Sequence, residues 1–470
     1  MRNYPGRKLA LASCAATAVC VGGLTCPAGA QSIEELRTSV DELNQKIRIL
    51  ERKSEIEKEA SAEKSKTAPS ISAGPGGFSF RSADTNFVLK LRGYLQADSR
   101  WFVDDHIDAN DTFLLRRVRP IFEGTVFEKY DFRVMLDFGS GANSSAANNG
   151  FLQDAYLNAR FLPEFQLKFG KFKEPVGLER LQSGANLLFV ERAYPTQLLP
   201  NRDAGVQLHG ELFSGALNYA AGIFNGVADG GSGDFETADD EKDVAARLFV
   251  HPFRNTSIDG LKGLGLGIAG TFGNQEGALR SFVSPGQQRF FAYRTSTATN
   301  APNVEGDGDH SRLTPQGYYY WGPFGIFGEY AISGQDVRQV NGGAGAGATA
   351  ELRHTAWQVA VSYVLTGEEN SWRGITPRRP FNPASGGWGA WELTARYSEL
   401  DLDDDTFPIF ANPDTSASAA RSWSIGVNWH LNRNVKFNVN YAQTDYEGGN
   451  LNPITANKEH VILTRAQVSF

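Results

Sequence analysis

Cysteine, methionine and long apolar runs are what this 470-residue chain has least of. Its 3 cysteines, Cys14, Cys20 and Cys26, all fall near the N-terminus. Residues 27–470 therefore offer neither a disulfide framework nor a catalytic thiol. With 2 methionines the composition is poor for a helix-packed core. Beyond the first thirty residues no stretch approaches the roughly 18 apolar residues of a membrane-spanning helix. The 7 histidines are scattered, with no H-E-x-x-H and no G-x-S-x-G, so neither an enzyme nor a cofactor is expected. A formal charge of −7 argues against a nucleic-acid partner. The acidic stretches "VADGGSGDFETADDEKD" (227–243), "EGDGDH" (305–310) and "DLDDD" (401–405) miss the spacing of a calcium loop. They read as exposed loops, and no metal is expected.

The N-terminus has the layout of a secretory signal. Arg2, Arg7 and Lys8 precede the apolar "LALASCAATAVCVGGLTC", and "AGA" at 28–30 is an A-x-A cleavage site, so the mature chain is expected to start at Gln31. A lipid-carrying Cys26 is the rival reading; Leu24 sits one position off the usual pattern for it. Removing the signal leaves 43 basic against 53 acidic residues, a formal −10. Residues 31–60 read as a coiled-coil helix: Ile33, Leu36, Val40, Leu43, Ile47 and Leu50 step by three and four among charged neighbours. Residues 61–84 are polar, contain Pro and Gly, and read as a linker.

From residue 85 the pattern changes to period two. In "NFVLKLRGYLQADSRWFV" (86–103), Phe87, Leu89, Leu91, Leu95, Trp101 and Val103 share one face, and Lys90, Arg92, Tyr94, Gln96, Asp98 and Arg100 the other. "RSWSIGVNWHL" (421–431) sets Trp423, Ile425, Val427 and Trp429 against Ser424, Asn428 and His430. A soluble sandwich alternates in the same way. Strands of about ten residues with aromatics near their ends, joined by short turns alternating with long polar loops, favour instead an all-β transmembrane antiparallel β-barrel of about 16 strands. One loop departs from the pattern. "VGLERLQSGANLLFVERAYPTQLLPNRD" (176–203) is too long for a connector and too apolar for disorder. Within 171–203 the reading is a loop folded into the lumen, with Leu187, Leu188, Phe189 and Val190 on the wall, Arg192 facing the opening, and Arg180 and Arg202 at the ends.

"LKFGKFKEPVGLERLQS", "LLFVERAYP", "NRDAGVQLHG", "LRGYLQAD", "GAWELTARYS" and "SIGVNWHLNRNVKFNVNYA" run in order along residues 80–470, and here the chain resembles the phosphate-selective porin O and P family. The resemblance implies a homotrimeric outer-membrane porin of a Gram-negative bacterium, with the third loop as constriction and phosphate or other small anions as cargo. It aligns Arg192 with the constriction arginine, and Arg180 with a lysine. Arg116 and Arg117 align with a basic ladder above the constriction, Lys90 and Lys168 with lysines below it, and Arg421 falls near another basic position. Arg92 shares the water-facing side with Lys90. Tyr94 stands where an arginine is expected and Arg119 where a tyrosine is, as though exchanged between strands. Asp154 is one residue from the expected acid, with Gln153 in its place. Lipopolysaccharide and outer-membrane lipid are the expected surroundings, with the coiled coil in the periplasm. The alternatives are a general, weakly selective porin, or a structural tether between outer membrane and cell wall.

Overall fold

The computed structural model of the chain describes residues 33–103, 109–139, 151–234, 240–296, 298, 301–342 and 345–470; the expected signal peptide lies outside them. Helix and sheet form separate compact units divided at Thr67. The helix, α1 (Ile33–Thr67), keeps its six seam residues in solvent, from 49% exposed at Ile47 to 75% at Ile33. It runs further than the expected coiled coil, because the Glu-, Lys- and Ala-rich stretch after Leu50 consists of strong helix formers. The expected linker is also partly ordered as a hairpin of β1 (Ser70–Gly74) and β2 (Gly77–Arg81). Gly77 has a φ of 93°, and a Cβ there would lie 2.3 Å from the Leu91 carbonyl oxygen, so only glycine fits this turn against the barrel wall.

The barrel strands are β3 (Phe87–Phe102), β4 (Thr112–Val126), β5 (Tyr130–Leu136), β6 (Leu152–Leu162), β7 (Phe165–Lys173), β8 (Arg202–Leu212), β9 (Leu217–Phe224), β10 (Asp243–Val250) and β11 (Leu264–Ala278). After a small hairpin, β12 (Phe282–Val283) and β13 (Arg289–Phe291), follow β14 (Val304–Trp321), β15 (Phe324–Gln339), β16 (Thr349–Val364), β17 (Ala390–Asp401), β18 (Ala417–His430), β19 (Val435–Gly448) and β20 (Glu459–Ser469). Successive strands pair antiparallel, and β20 returns to β3 from Val461↔Phe102 to Ser469↔Tyr94. The result is a closed barrel of sixteen strands, whose wall strands each pair on both sides. Alternation sorts the side chains: Trp423, Ile425, Phe437 and Val439 are exposed outside, while Ser424, Asn428, Asn438 and Asn440 are buried inside.

The interior is not uniform. Along β9–β18 the segments 279–296 and 402–416 fold inward and build an aromatic core with Tyr194, Phe224, Phe282, Phe290, Phe291, Tyr293 and Phe410. Two readings of the sequence change here. One of the expected long polar loops, that between β11 and β14, is shortened because β11 runs to Ala278 and β14 begins at Val304. Its aromatic residues are buried. The acidic stretches also do internal duty: Arg312, buried on β14, needs counter-charges and takes Asp229 at 2.7 Å and Asp243 at 3.4 Å.

Glu174 opens the segment that leaves β7, and its amide reaches the Asn201 carbonyl at 3.3 Å where the segment returns. Its side chain is fully buried, and among the described residues neither carboxylate oxygen has a hydrogen-bond partner. Burial pushes the carboxyl well above its ordinary 4.5; Arg312 opposes this, while Asp203 and Asp243 add to it. The folded state therefore holds this proton to higher pH than the unfolded chain does. Stability from this group is complete below about pH 4.5 and declines as pH rises toward the shifted value. Glu174→Gln is expected to raise unfolding stability by about 1–2 kcal/mol at pH 8 and to change it little at pH 4, as read by urea denaturation at both pH values.

Candidate pore constriction

Residues 174–201 connect β7 to β8 inside the barrel with little regular structure: one helical turn, α2 (Leu178–Leu181), and a 3-10 turn at Tyr194–Gln197. A buried backbone without a ladder must find partners among side chains. The wall supplies them strand by strand. Gln96 donates to the Gly184 carbonyl at 2.8 Å, Gln467 to Ala185 at 2.9 Å, Lys436 to Leu187 at 3.0 Å and Asn428 to Leu188 at 2.9 Å. Arg396 donates to Glu191 at 2.9 Å and Lys173 to Gln182 at 2.8 Å. In the other sense, Glu329 accepts the amides of Leu178 at 2.6 Å and Glu179 at 3.3 Å, and Asn440 accepts that of Val190 at 2.8 Å. Leu187, Phe189 and Val190 are buried against the wall; Phe189 also lies 4.3 Å beneath the Arg396 guanidinium.

The basic residues divide by their partners. Arg192 is half-buried and donates to the loop's own carbonyls, Glu179 at 3.1 Å and Gln182 at 2.9 Å. No carboxylate of the described residues is in ion-pair contact with it. Arg180 is buried, with a 3.4 Å contact to the Leu199 carbonyl; burial lowers its pKa, and Arg192 and Arg202 add repulsion. Arg202 pairs with Asp154 at 2.7 Å, and Asp154 also takes Arg133 at 3.1 Å. Tyr94 and Arg119 are direct cross-strand neighbours, with the guanidinium donating to the phenol oxygen at 2.8 Å. The positive charge missing at Tyr94 thus comes from the adjacent strand, although Asp137 holds it at 2.7 Å.

Two β-bulges explain features that alternation alone misplaces. One lies opposite the Gln96–Ala97 step, where Arg116 is the extra residue and both Arg116 and Arg117 turn inward. The other lies between Met135 and Leu136, where Gln153 is the extra residue. Gln153 accepts from Arg119 at 3.1 Å while Asp154 faces Arg202, so the one-residue offset of the acid is absorbed. Arg116 is not free: Glu191 takes its Nε at 2.6 Å and its Nη2 at 3.0 Å. Arg117 donates to Gln96 at 2.8 Å.

Toward the short-turn end, Lys90 is exposed at the mouth and Arg92 pairs with Glu123 at 2.9 Å. The Lys168 ammonium lies 5.1 Å from the ring centres of both Tyr156 and Phe172. Arg421 is a correction. It lies on the outer face of β18 with Trp423, bound to Glu399 at 2.5 Å and Glu447 at 3.1 Å, and does not belong to the pore. Its parity with Trp423, visible in the sequence, carries that signal. Sequence reading missed Lys173, Lys436, Arg396 and Glu191, whose roles depend on what the loop brings to them.

Between loop and short turns lies a cavity of about 720 Å³. Arg92, Arg133, Lys168, Lys173, Arg202 and Lys436 line it, with Arg373 and Arg433 from the connections; its acids are Asp154 and Glu392. The 365–389 connection rises into it from below: Gln182 donates to the Trp372 carbonyl at 3.0 Å, and the Trp372 ring stacks on Tyr318 at 5.6 Å.

The outer-membrane channel DcaP of Acinetobacter baumannii superposes with a TM-score of 0.51 at 12% identity, covering 85% of this chain and 100% of that one. In-vitro folded OmpT of Vibrio cholerae gives 0.50 at 12% identity, covering 82% and 98%. Both likenesses concern the fold. In sequence, Porin O of Pseudomonas aeruginosa is 26% identical over 398 residues, 79% of this chain and 86% of that protein. The profile described as Phosphate-selective porin O and P matches residues 89–470, and with the closed barrel behind that match the chain belongs to this family of outer-membrane porins.

Proposed function

We propose that this porin passes small oxyanions, phosphate or polyphosphate among them, down their gradient, and that basic groups around the 174–201 loop select them. The observation that carries the reading is a reversal of charge. The chain is net −7, yet eight Lys and Arg residues line the cavity beside the loop against two acids. An anion entering a narrow throat loses water, and guanidinium and ammonium groups replace it with charge-assisted hydrogen bonds. Several weak sites in series let the ion move on where one deep site would trap it. Arg202, Arg192, Lys173 and Arg119 serve near Tyr94, and Lys168, Lys436, Arg373 and Arg433 serve below. Asp154, shared by Arg133 and Arg202, moderates the hold. Arg180 supports the loop from within.

In planar bilayers, phosphate is expected to block the chloride current of the wild type. Arg192→Ala should raise the half-blocking concentration about tenfold, the loss of charge-assisted bonds worth roughly 1.5–3 kcal/mol. Equal block in both proteins removes Arg192 from the path, and no block in either points to a general porin. Arg373 and Arg433 make no ion pair among the described residues, so Arg373→Gln/Arg433→Gln should lower the anion-to-cation permeability ratio several-fold without changing stability; an unchanged reversal potential counts against the cavity's role.

We also propose a homotrimer with α1 in the periplasm, where the chain enters β3. The exposed seam of Ile33 to Leu50 favours self-association, helped by the high local concentration that joined barrels impose. Val40→Asp/Leu43→Asp in the full chain is expected to lower the dissociation temperature of the detergent-resistant oligomer while leaving the barrel folded; no shift on gel electrophoresis after stepwise heating excludes the seam.

A further inference from the structure

We propose that Glu191 sets how tightly the long-loop side of the constriction holds an anion, by occupying its arginine site as an attached carboxylate. The inference rests on the anion-channel reading above and names a residue that tunes it. Glu191 receives the Arg116 guanidinium side-on, Nε at 2.6 Å and Nη2 at 3.0 Å, and Arg100 Nη2 at 3.5 Å. That is the fork with which arginine takes a free carboxylate or a pair of phosphate oxygens. The β4 bulge makes the site by turning Arg116 and Arg117 to the same side. The other carboxylates near these arginines are committed elsewhere: Asp98 to Arg465 at 2.8 and 2.7 Å, Asp137 to Arg119 at 2.7 Å, and Glu459 to the Ser284 hydroxyl at 2.6 Å. Among the described residues, Glu191 alone is in ion-pair contact with Arg100 and Arg116.

The loop does not need this carboxylate to stay in place. Around it, the Leu188 carbonyl is held by Asn428, the Val190 amide by Asn440 and the Glu191 carbonyl by Arg396. Val190 is buried among Ala442, Val461 and Leu463. The backbone is therefore fixed on both sides of Glu191 by groups that do not involve its charge. What the carboxylate adds is electrical. It lowers the positive charge that a passing oxyanion meets, as a permanent competitor for the same donors. Burial opposes its ionisation, but Arg116, Arg100 and Arg117 hold it well below the usual carboxylate range.

The test is Glu191→Gln in the full-length porin in planar bilayers. Glutamine keeps the size and one acceptor oxygen and removes the charge. The half-blocking phosphate concentration is expected to fall about tenfold, the reversal potential in a potassium chloride gradient to shift toward greater anion preference, and chloride conductance not to rise. Adding Arg116→Gln returns the net charge to that of the wild type and is expected to return the block as well. Unchanged block and reversal potential in Glu191→Gln overturn the proposal. So does a larger conductance with weaker selectivity, which would make Glu191 a loop anchor. Should Glu191→Gln not assemble, Arg100→Gln reads the same site: a several-fold weaker block is expected, and an unchanged one overturns it. A wild-type channel without anion preference instead sinks the anion-channel reading, whatever the variants do.

Discussion

A polypeptide segment that crosses a barrel interior without a ladder must satisfy its carbonyl and amide groups somewhere, and that requirement organises this protein. Residues 174–201 meet it by borrowing from the wall. Glutamine, asparagine, lysine and arginine side chains on β3, β7, β17, β18, β19 and β20 each take one carbonyl, while Glu329 and Asn440 take amides. A buried carbonyl left without a donor costs on the order of 1–3 kcal/mol, so the loop position follows from the polar pattern of the strands around it. The inward face is polar for this reason as well as to meet water. Lys173 and Lys436 combine both tasks: each ammonium holds a loop carbonyl and lines the cavity.

The distribution of charge follows from the same geometry. The acidic excess of the chain is spent at the rim and in internal pairs, such as Arg421 with Glu399 outside and Arg312 with Asp229 inside. The cavity is left basic. Pairing also grades the arginines around the loop. Arg202, Arg119 and Arg116 each answer a carboxylate, whereas Arg192 and Arg117 bind carbonyl or amide oxygens and keep their charge uncompensated at close range.

Strand periodicity made the barrel legible, since a two-residue repeat with Trp423 and Ile425 against Ser424 and Asn428 survives any detail of packing. Register was not. A single extra residue turns Arg116 inward beside Arg117, and another brings Gln153 and Asp154 into one site; neither bulge leaves a mark in the alternation. The Tyr94 and Arg119 exchange could be seen, but their facing each other depends on pairing across strands. Arg421 shows the opposite failure: its parity with Trp423 puts it outside, but alignment to a family position drew it in. The aromatic core of segments 279–296 and 402–416 was invisible because its residues are scattered through polar stretches and meet only in three dimensions.

The side chains that hold the 174–201 loop come mostly from far later in the chain. Gln467 lies 282 residues beyond Ala185, and Asn440 lies 250 beyond Val190. When β7 and β8 first pair, almost none of these groups is at hand. The loop can settle only after the final strands have zipped up and β20 has met β3. Seating the internal loop is thus the closing act of assembly, and a cylinder caught before its last seam joins would leave that segment without most of its partners.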